Sequence, residues 1–252
     1  MTVAKMPLLL VANLGVVVRD KALLHDVNFS VEAGQILALL GANGAGKSTL
    51  IAAIAGETSP HGGRIEFDGA PIASHTLERL AARRALNAAE PAMPFAMPVE
   101  DYVALGRPFG APDASGINAA LEACHASEWS ERDFATLSSG EQMRVQLARS
   151  LYQLGEAPNA LWLLDEPCAH LDLAQRRFVL SLLASVAKSR GWAIVFSTHD
   201  PAEALAISDK VLLLRAGECV AYGAAAETIT EASLAACYGV AVTRASAFIA
   251  TQ

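Results

Sequence analysis

Short apolar runs broken by polar and glycine-rich stretches dominate this chain, and their lengths predict an α/β fold. Residues 8–33 alternate between apolar and polar positions and turn, which predicts short antiparallel strands. Continuous apolar runs of strand length follow at 35–40, 161–164 and 192–197. Such runs are typical of parallel strands that are covered on both faces. A further strand is predicted at 64–69, directly after a Pro-His-Gly-Gly turn.

Helical patterns alternate with these strands and divide the chain. Residues 76–84 have helical spacing, with Thr76 as a candidate N-cap. The proline-rich stretch 87–98 predicts a loop and a boundary. Beyond it, 99–136 is mostly helical in pattern, with a glycine and proline break from Gly106 to Gly116. The predicted units are a core formed by residues 1–98 and 150–252, which includes an antiparallel β subdomain, and a small helical subdomain at 99–149.

A glycine-rich loop joins the first continuous apolar run to a helix-forming one. It fits the pattern G-x-x-x-x-G-K-[ST], in which backbone N–H groups and the positive end of a helix dipole hold phosphates. Lys47 would reach the β- and γ-phosphates, and Ser48 would offer its hydroxyl to Mg²⁺. A glycine-rich turn that binds nothing is the alternative, but strand, loop, lysine and helix all agree. The predicted nucleotide-binding residues are Gly41, Asn43, Gly44, Ala45, Gly46, Lys47, Ser48 and Thr49.

Two later strands end in groups suited to phosphate chemistry. Asp165 and Glu166 follow the run at 161–164, and the carboxyl ends of parallel strands are where ligands bind. Asp165 is predicted to hold Mg²⁺, and Glu166 to act as the catalytic base on the attacking water. The alternative is an acidic first turn of the next helix. His199 follows the strand at 192–197 and is predicted to donate a hydrogen bond to a γ-phosphate.

A second helix start has phosphate-binding potential. Ser138 precedes a long amphipathic helix and Glu141 lies three residues later, which is the spacing of a capping box. A capping box needs no nucleotide to explain it. Beside the glycine-rich loop, however, this start becomes a candidate second phosphate-directed helix N-terminus.

Composition excludes several classes of protein. The 252 residues are 53% hydrophobic and carry a net charge of −7, which argues against a nucleic-acid binder. No apolar stretch reaches the length that spans a bilayer, and the apolar run near the N-terminus is too short for a signal peptide. The four cysteines are scattered, which favours reduced cytosolic thiols over disulfides or a zinc site.

The order of these motifs resembles that of ATP-binding subunits of ABC transporters, along nearly the whole chain. In that family's terms, the motifs are the P-loop at 41–49, the signature at 137–141, the magnesium and base strand at 164–166, the D-loop at 169–172 and the switch histidine His199. The resemblance implies a P-loop ATPase core with a mostly parallel sheet, an N-terminal antiparallel β subdomain and a small helical insertion. It also implies that ATP and Mg²⁺ are bound and that ATP is hydrolysed.

The same resemblance implies an assembly. Two copies of the chain would form a head-to-tail dimer, in which the P-loop of one copy and Ser138 and Gly140 of the other hold each ATP. The other implied partners are integral membrane permease subunits and, indirectly, a periplasmic substrate-binding protein. Such a subunit works at the cytoplasmic face of the bacterial inner membrane.

Local features are similar to haemin-import ATPases. They are Ala55–Glu57 with Ser59–Pro60, the stretch from Pro94 to Arg107, Ser139–Glu141 with Arg144–Arg149, and the tail Cys237–Val240. Importers of vitamin B12 and of ferric siderophores share much of this, so haem is predicted as the cargo with these chelates as alternatives. A soluble ABC-type ATPase of DNA repair or translation is disfavoured by the acidic charge, the single cassette and the lack of a long coiled coil. A degenerate cassette that binds ATP as a regulatory module stays open.

Three positions depart from the family's pattern. Ala89 stands where a glutamine usually contacts Mg²⁺ and the attacking water, with Glu90 next to it. Val18 stands where an aromatic side chain usually stacks on adenine, and Ser139 replaces a signature glycine. These departures bear on the rate of hydrolysis, the affinity for ATP and the coupling, and leave the predicted fold unchanged.

The missing glutamine generates a testable prediction. A neutral amide at position 89 can bridge metal and water, so we expect Ala89→Gln to raise steady-state ATP hydrolysis in the assembled transporter. If Glu90 substitutes for the amide, Glu90→Ala cuts the rate and Ala89→Gln restores much of it; if not, Glu90→Ala is nearly silent. Unchanged rates in both variants would show that this loop position does not limit hydrolysis.

Overall fold

The computed structural model describes residues 6–88, 96–107 and 112–243. Within them, the strands form one sheet in the order β5-β4-β1-β2-β10-β9-β3-β8-β7-β6. The strands are β1 (Leu9–Val18), β2 (Lys21–Val31), β3 (Ile36–Leu40), β4 (Gly62–Phe67), β5 (Ala70–Pro71), β6 (Arg84–Asn87), β7 (Leu161–Leu164), β8 (Ala193–Thr198), β9 (Lys210–Arg215) and β10 (Glu218–Ala224).

Helices separate most of these strands along the chain. They are α1 (Lys47–Ile54), α2 (Leu77–Arg83), α3 (Val99–Ala104), α4 (Ala114–Ala123), α5 (Ser139–Leu154), α6 (Leu173–Arg190), α7 (Pro201–Ile207), α8 (Ala225–Thr228) and α9 (Glu231–Tyr238). Short 3₁₀ turns lie at Ile72–Ser74, Ser127–Trp129 and Phe134–Thr136. No helix in the described ranges is long and apolar enough to cross a membrane.

The buried middle of the sheet is parallel, as the continuous apolar runs predict. β3 pairs in parallel with β8 and with β9, and β7 pairs in parallel with β8 and with β6. Every residue of β3 is buried, because both faces of the strand are covered. Ile36, Ala38 and Leu40 pack into the core that includes the helical segment. Leu37 and Leu39 pack into the other core, with α1 and the N-terminal strands.

The N-terminal strands are antiparallel, as predicted. β1 pairs antiparallel with β2 and with β4, and the β1–β2 turn consists of Arg19 and Asp20, both with positive φ. Helix α2 begins after Thr76, whose side chain accepts a hydrogen bond from the Arg79 amide at 3.2 Å. The predicted N-cap is therefore confirmed.

The predicted break from Gly106 to Gly116 is too long. Helix α4 already begins at Ala114, because the Asp113 side chain accepts from the Ser115 amide at 3.1 Å and caps it. Gly116 lies inside the helix, where a Cβ would come within 2.7 Å of the Asp113 carboxylate and 3.2 Å of the Tyr152 ring. Its glycine serves this close approach rather than a turn. The division into core and helical subdomain stays a prediction, and α5 runs unbroken across its boundary at residue 149.

A buried asparagine joins three elements at the end of β6. The side-chain oxygen of Asn87 accepts from the Ser150 hydroxyl of α5 and from the Trp162 indole N–H of β7, both at 2.7 Å. Its backbone oxygen accepts from the Asp165 amide at 2.9 Å. One residue thereby fixes α5, β7 and the start of the carboxylate segment to each other.

Replacing this asparagine tests its structural role. In Asn87→Leu the Ser150 and Trp162 donors stay buried without an acceptor, which costs roughly 1–3 kcal/mol for each. We expect a clear fall in the urea midpoint of unfolding. Asn118→Ala, at an exposed position of α4, is the matched control and should change stability by less than about 0.5 kcal/mol. Equal midpoints for the two variants would contradict the role of Asn87.

Candidate nucleotide-binding site

The glycine-rich loop opens a cleft between the end of β3 and the start of α1. Gly44 and Gly46 have φ of 78° and 109°, and a Cβ on Gly46 would lie 2.8 Å from a Leu24 methyl group. The cleft has a volume of about 500 Å³. Its lining residues are Lys21, Leu23, Asn43, Gly44, Gly46, Lys47, Ser48, Thr49, Asp165 and Glu166. The structure therefore brings together most of the predicted nucleotide-binding residues and both carboxylates.

Gly41 and Ala45 were predicted to bind nucleotide but do not line this cleft. Gly41 lies against the Leu214 carbonyl, where a side chain would not fit. Ala45 is buried: its amide donates to the Ala42 carbonyl at 3.1 Å, and its carbonyl accepts from the Gly217 amide at 2.9 Å. In the described structure, both residues shape the loop.

The start of α1 is suited to an anion. Gly46 is its N-cap and supplies no side-chain acceptor, and its first turn holds no acidic residue. By contrast, α2, α4, α5, α6, α7 and α9 each begin with a side chain that accepts an amide hydrogen bond. Backbone donors at an uncapped helix start are available to phosphate oxygens, so the loop fits a nucleoside triphosphate.

Lys47 is held among oxygen atoms at this helix start. Its side chain is 5% exposed, and Nζ donates to the carbonyls of Gly41 at 2.8 Å and Ala42 at 3.3 Å. Nζ also lies 3.5 Å from the Glu166 carboxylate. The buried ammonium group and the predicted base Glu166 therefore lie side by side in the cleft.

A buried serine contacts the Asp165 carboxylate and the Glu166 backbone, and sequence reasoning missed it. Ser197 Oγ donates to Asp165 Oδ1 at 2.6 Å and accepts from the Glu166 amide at 2.8 Å. Glu166 adopts φ of 48°, outside the range that most residues prefer. Helix α6 starts only after Asp172. Asp165 and Glu166 are therefore not an acidic helix turn, and the signal for Ser197 was its place at the end of the next strand.

The oxygen donors fit Mg²⁺ only with help from a ligand. Ser48 and Asp165 line the same cleft and offer hard oxygen atoms. In the described part of the chain, no group of three or more His, Cys, Asp or Glu residues could hold a metal ion. This donor set suits Mg²⁺ bound through substrate phosphates and water, which is how proteins usually hold it.

His199 lies at the carboxyl end of β8 and is exposed. A small cleft joins it to Glu166, Ser197 and Thr198, so it borders the carboxylate end of the nucleotide cleft. The hydroxyl of Thr198 donates to Glu203 at 2.5 Å. Burial raises the pKa of Glu203 above its usual range, although this hydrogen bond opposes the shift. The backbone beside His199 is thus tied to α7.

Ser138 and Gly140 lie away from this cleft. Ser138 is exposed and caps α5 in a capping box: its amide donates to the Glu141 carboxylate at 2.7 Å, and its hydroxyl accepts from the Glu141 amide at 3.4 Å. The predicted capping box is confirmed. Gly140 is buried, and a Cβ there would displace the end of the Gln175 side chain of α6.

Of two departures from the family's pattern, only Val18 lies in the described residues. Val18 is 39% exposed at the end of β1, while Lys21 and Leu23 are the hairpin residues that line the cleft. Ala89 and Glu90 lie outside the described residues.

Comparison with known proteins agrees with this geometry. The ABC transporter family profile matches residues 24–169. A haemin import ATP-binding protein, HmuV of Burkholderia cenocepacia, is 39% identical over 91% of this chain and 92% of its own. A solved structure described as a metal-chelate type ABC transporter in an inward-facing conformation shares 32% identity and a TM-score of 0.79, covering 92% of this chain and 89% of that one.

A second solved structure supports the same assignment. CbiO1 from Clostridium perfringens, part of the ABC transporter complex cbiONQ, is 26% identical with a TM-score of 0.78, over 90% of this chain and 92% of its own. The chain belongs to the ABC transporter family and is one of its ATP-hydrolysing subunits.

Proposed function

We propose that this ATPase powers the import of haem. The observation that carries the proposal is the nearly full-length similarity to HmuV of Burkholderia cenocepacia, a haemin import ATP-binding protein. A second relative with that description, from Bordetella avium, is 37% identical over 87% of this chain and 87% of its own. Vitamin B12 or a ferric siderophore is the alternative cargo, which the metal-chelate description of the solved structure also suits.

In this proposal the cleft binds ATP and positions it for attack by water. The glycine-rich loop and the uncapped start of α1 hold the phosphates, and Lys47 neutralises the γ-phosphate. Glu166 accepts the proton of the attacking water, which becomes bonded to the γ-phosphorus as the bond to ADP breaks. The support is the position of Glu166, 3.5 Å from Lys47 and ordered through its backbone by Ser197. His199 donates a hydrogen bond to the γ-phosphate from the adjoining strand end.

Ser48 and Asp165 would hold Mg²⁺ in the same cleft. When bound, the metal neutralises charge on the phosphate oxygens. The contribution of the chain is to fix the Asp165 carboxylate, which the Ser197 hydroxyl does at 2.6 Å.

The signature residues act on ATP held by a second copy. Ser138 is exposed and does not line the cleft of its own chain, so it reaches a nucleotide only if two chains meet head to tail. Leu173 is 65% exposed at the start of α6, and the Gln175 side chain of the same turn covers Gly140. An exposed leucine beside the signature helix supports the proposal that a second copy covers this end of the molecule.

We further propose that the dimer works with integral membrane permease subunits, and indirectly with a periplasmic substrate-binding protein. Its place would be the cytoplasmic face of the bacterial inner membrane, without nucleic acid as a partner. The regulatory alternative, a cassette that binds ATP without hydrolysing it, rests on Ala89 and Val18. The arrangement of Lys47, Asp165 and Glu166 favours a working ATPase.

The role of Glu166 is tested by a substitution that keeps its shape. Glu166→Gln removes the base, so we expect phosphate release by the assembled transporter to fall about 10²–10⁴-fold, with ATP-bound dimer accumulating. Lys47→Ala should instead weaken ATP binding itself. Glu156→Gln, at a carboxylate that is 89% exposed and does not line the cleft, is the matched control and should keep the parental rate. A parental rate in Glu166→Gln would show that another group is the base.

The cargo is tested by growth of a strain that lacks this chain. With haemin as the sole iron source, we expect the deletion strain to stop growing, and the parental chain but not Lys47→Ala to restore growth. Growth on ferric chloride, on ferrichrome and with cyanocobalamin as the only cobalamin source should be normal. Normal growth on haemin with a defect on ferrichrome or cyanocobalamin would overturn haem and favour the corresponding chelate.

A further inference from the structure

A tyrosine near the C-terminus bridges the two strand ends that carry the phosphate loop and His199. The Tyr238 hydroxyl donates to the His199 carbonyl at 3.1 Å. The Gly41 amide lies near the same phenol and lowers its pKa. Neither contact was expected from the sequence, because Tyr238 lies 39 residues beyond His199.

The position of this bridge follows from the parallel register. Leu40 of β3 and Thr198 of β8 are the last residues paired between these strands. Gly41 and His199 are the next residue of each strand, so they leave the ladder with backbone groups that need partners. The phenol donates to the His199 carbonyl there and lies beside the Gly41 amide. It therefore continues the connection between the strands beyond the last ladder pair.

The end of helix α9 is held so that the phenol is fixed. Cys237 Sγ donates to the Leu214 carbonyl of β9 at 3.3 Å, and Arg215 donates to the Ala236 carbonyl at 2.7 Å. Gly239 ends the helix with φ of 71°, and a Cβ there would lie 3.3 Å from the Arg215 guanidinium. The cation at the helix C-terminus is favoured by the helix dipole.

The phenol stays a donor throughout the physiological range. Burial raises the pKa of Tyr238 to about 12, so the hydroxyl keeps its proton. The bridge therefore does not depend on pH near neutrality.

We propose that Tyr238 is a positioning residue for ATP hydrolysis, which sets the His199 backbone relative to the phosphate loop. The inference rests on the proposed function, in which His199 contacts the γ-phosphate and the loop holds it. The hydroxyl then fixes the His199 backbone beside the phosphate loop, although Tyr238 itself touches no substrate. Misplacement of a catalytic group by about 1 Å can cost up to 10²-fold in rate.

The test compares two phenols that make the same kind of contact. Tyr238→Phe keeps the ring and removes the bridge. Tyr222→Phe is the matched control, because the Tyr222 hydroxyl donates to the Ser30 carbonyl at 2.6 Å and accepts from the Ser30 amide at 3.1 Å, away from the cleft. We measure kcat and KM for ATP in the assembled transporter, together with urea midpoints.

We expect kcat to fall roughly tenfold in Tyr238→Phe, within the range above, with KM for ATP nearly unchanged. Tyr222→Phe should keep the parental kcat, even if its urea midpoint falls as much as that of Tyr238→Phe. A parental kcat in Tyr238→Phe would overturn the proposal. An equal loss of kcat in both variants would also overturn it, since a purely structural hydrogen bond would give the same loss at either tyrosine.

A double variant separates this inference from the proposed role of His199. In a His199→Ala background, Tyr238→Phe should cause no further loss of kcat, because residues that act together are not additive. A further tenfold loss would show that Tyr238 acts elsewhere and overturn the inference. A parental kcat in His199→Ala would instead refute the proposed role of His199, and the inference with it. A low kcat in His199→Ala with a parental kcat in Tyr238→Phe would refute the inference alone.

Discussion

Parallel pairing of β3, β8 and β7 is the constraint on which the cleft depends. The register pairs Leu40 with Thr198 and Leu164 with Phe196, so the three strands end at one edge of the sheet. All three strands are buried on both faces, where close packing of their side chains resists a shift of this register. The phosphate loop, the two carboxylates and His199, which directly follow these strands, therefore lie close together at this edge.

Polar side chains then replace the ladder where the strands end. The Ser197 hydroxyl donates to the Asp165 carboxylate and accepts from the Glu166 amide. The Asn87 side chain accepts from the Ser150 hydroxyl, and its backbone carbonyl accepts from the Asp165 amide. The Tyr238 hydroxyl donates to the His199 carbonyl, beside the strand end at Gly41. Backbone groups in a buried position cost free energy unless they are paired. The same hydrogen bonds that satisfy this requirement also fix the atoms that would act on ATP.

The sequence predicts contacts between residues that are near in the chain and misses those between residues that are distant in it. The loop before α1, the cap at Thr76 and the capping box at Ser138 depend on neighbours a few residues away, and all three are present. Ser197 and Tyr238 act on residues 31 to 39 positions away, so no spacing in the chain reveals them. The sequence around Tyr238 predicts only a half-buried helical residue, because its contact with His199 depends on how the sheet is assembled.

The fold is that of an ATP-hydrolysing subunit, whereas the proposed cargo rests on similarity in sequence. CbiO1, at 26% identity, superimposes almost as well as the metal-chelate transporter at 32%, with TM-scores of 0.78 and 0.79. A framework shared so widely cannot by itself distinguish one transported molecule from another. The cleft, in turn, lacks the signature serine of its own chain. Hydrolysis in the proposed dimer therefore depends on the assembly of two chains, because each cleft needs the Ser138 of the other copy.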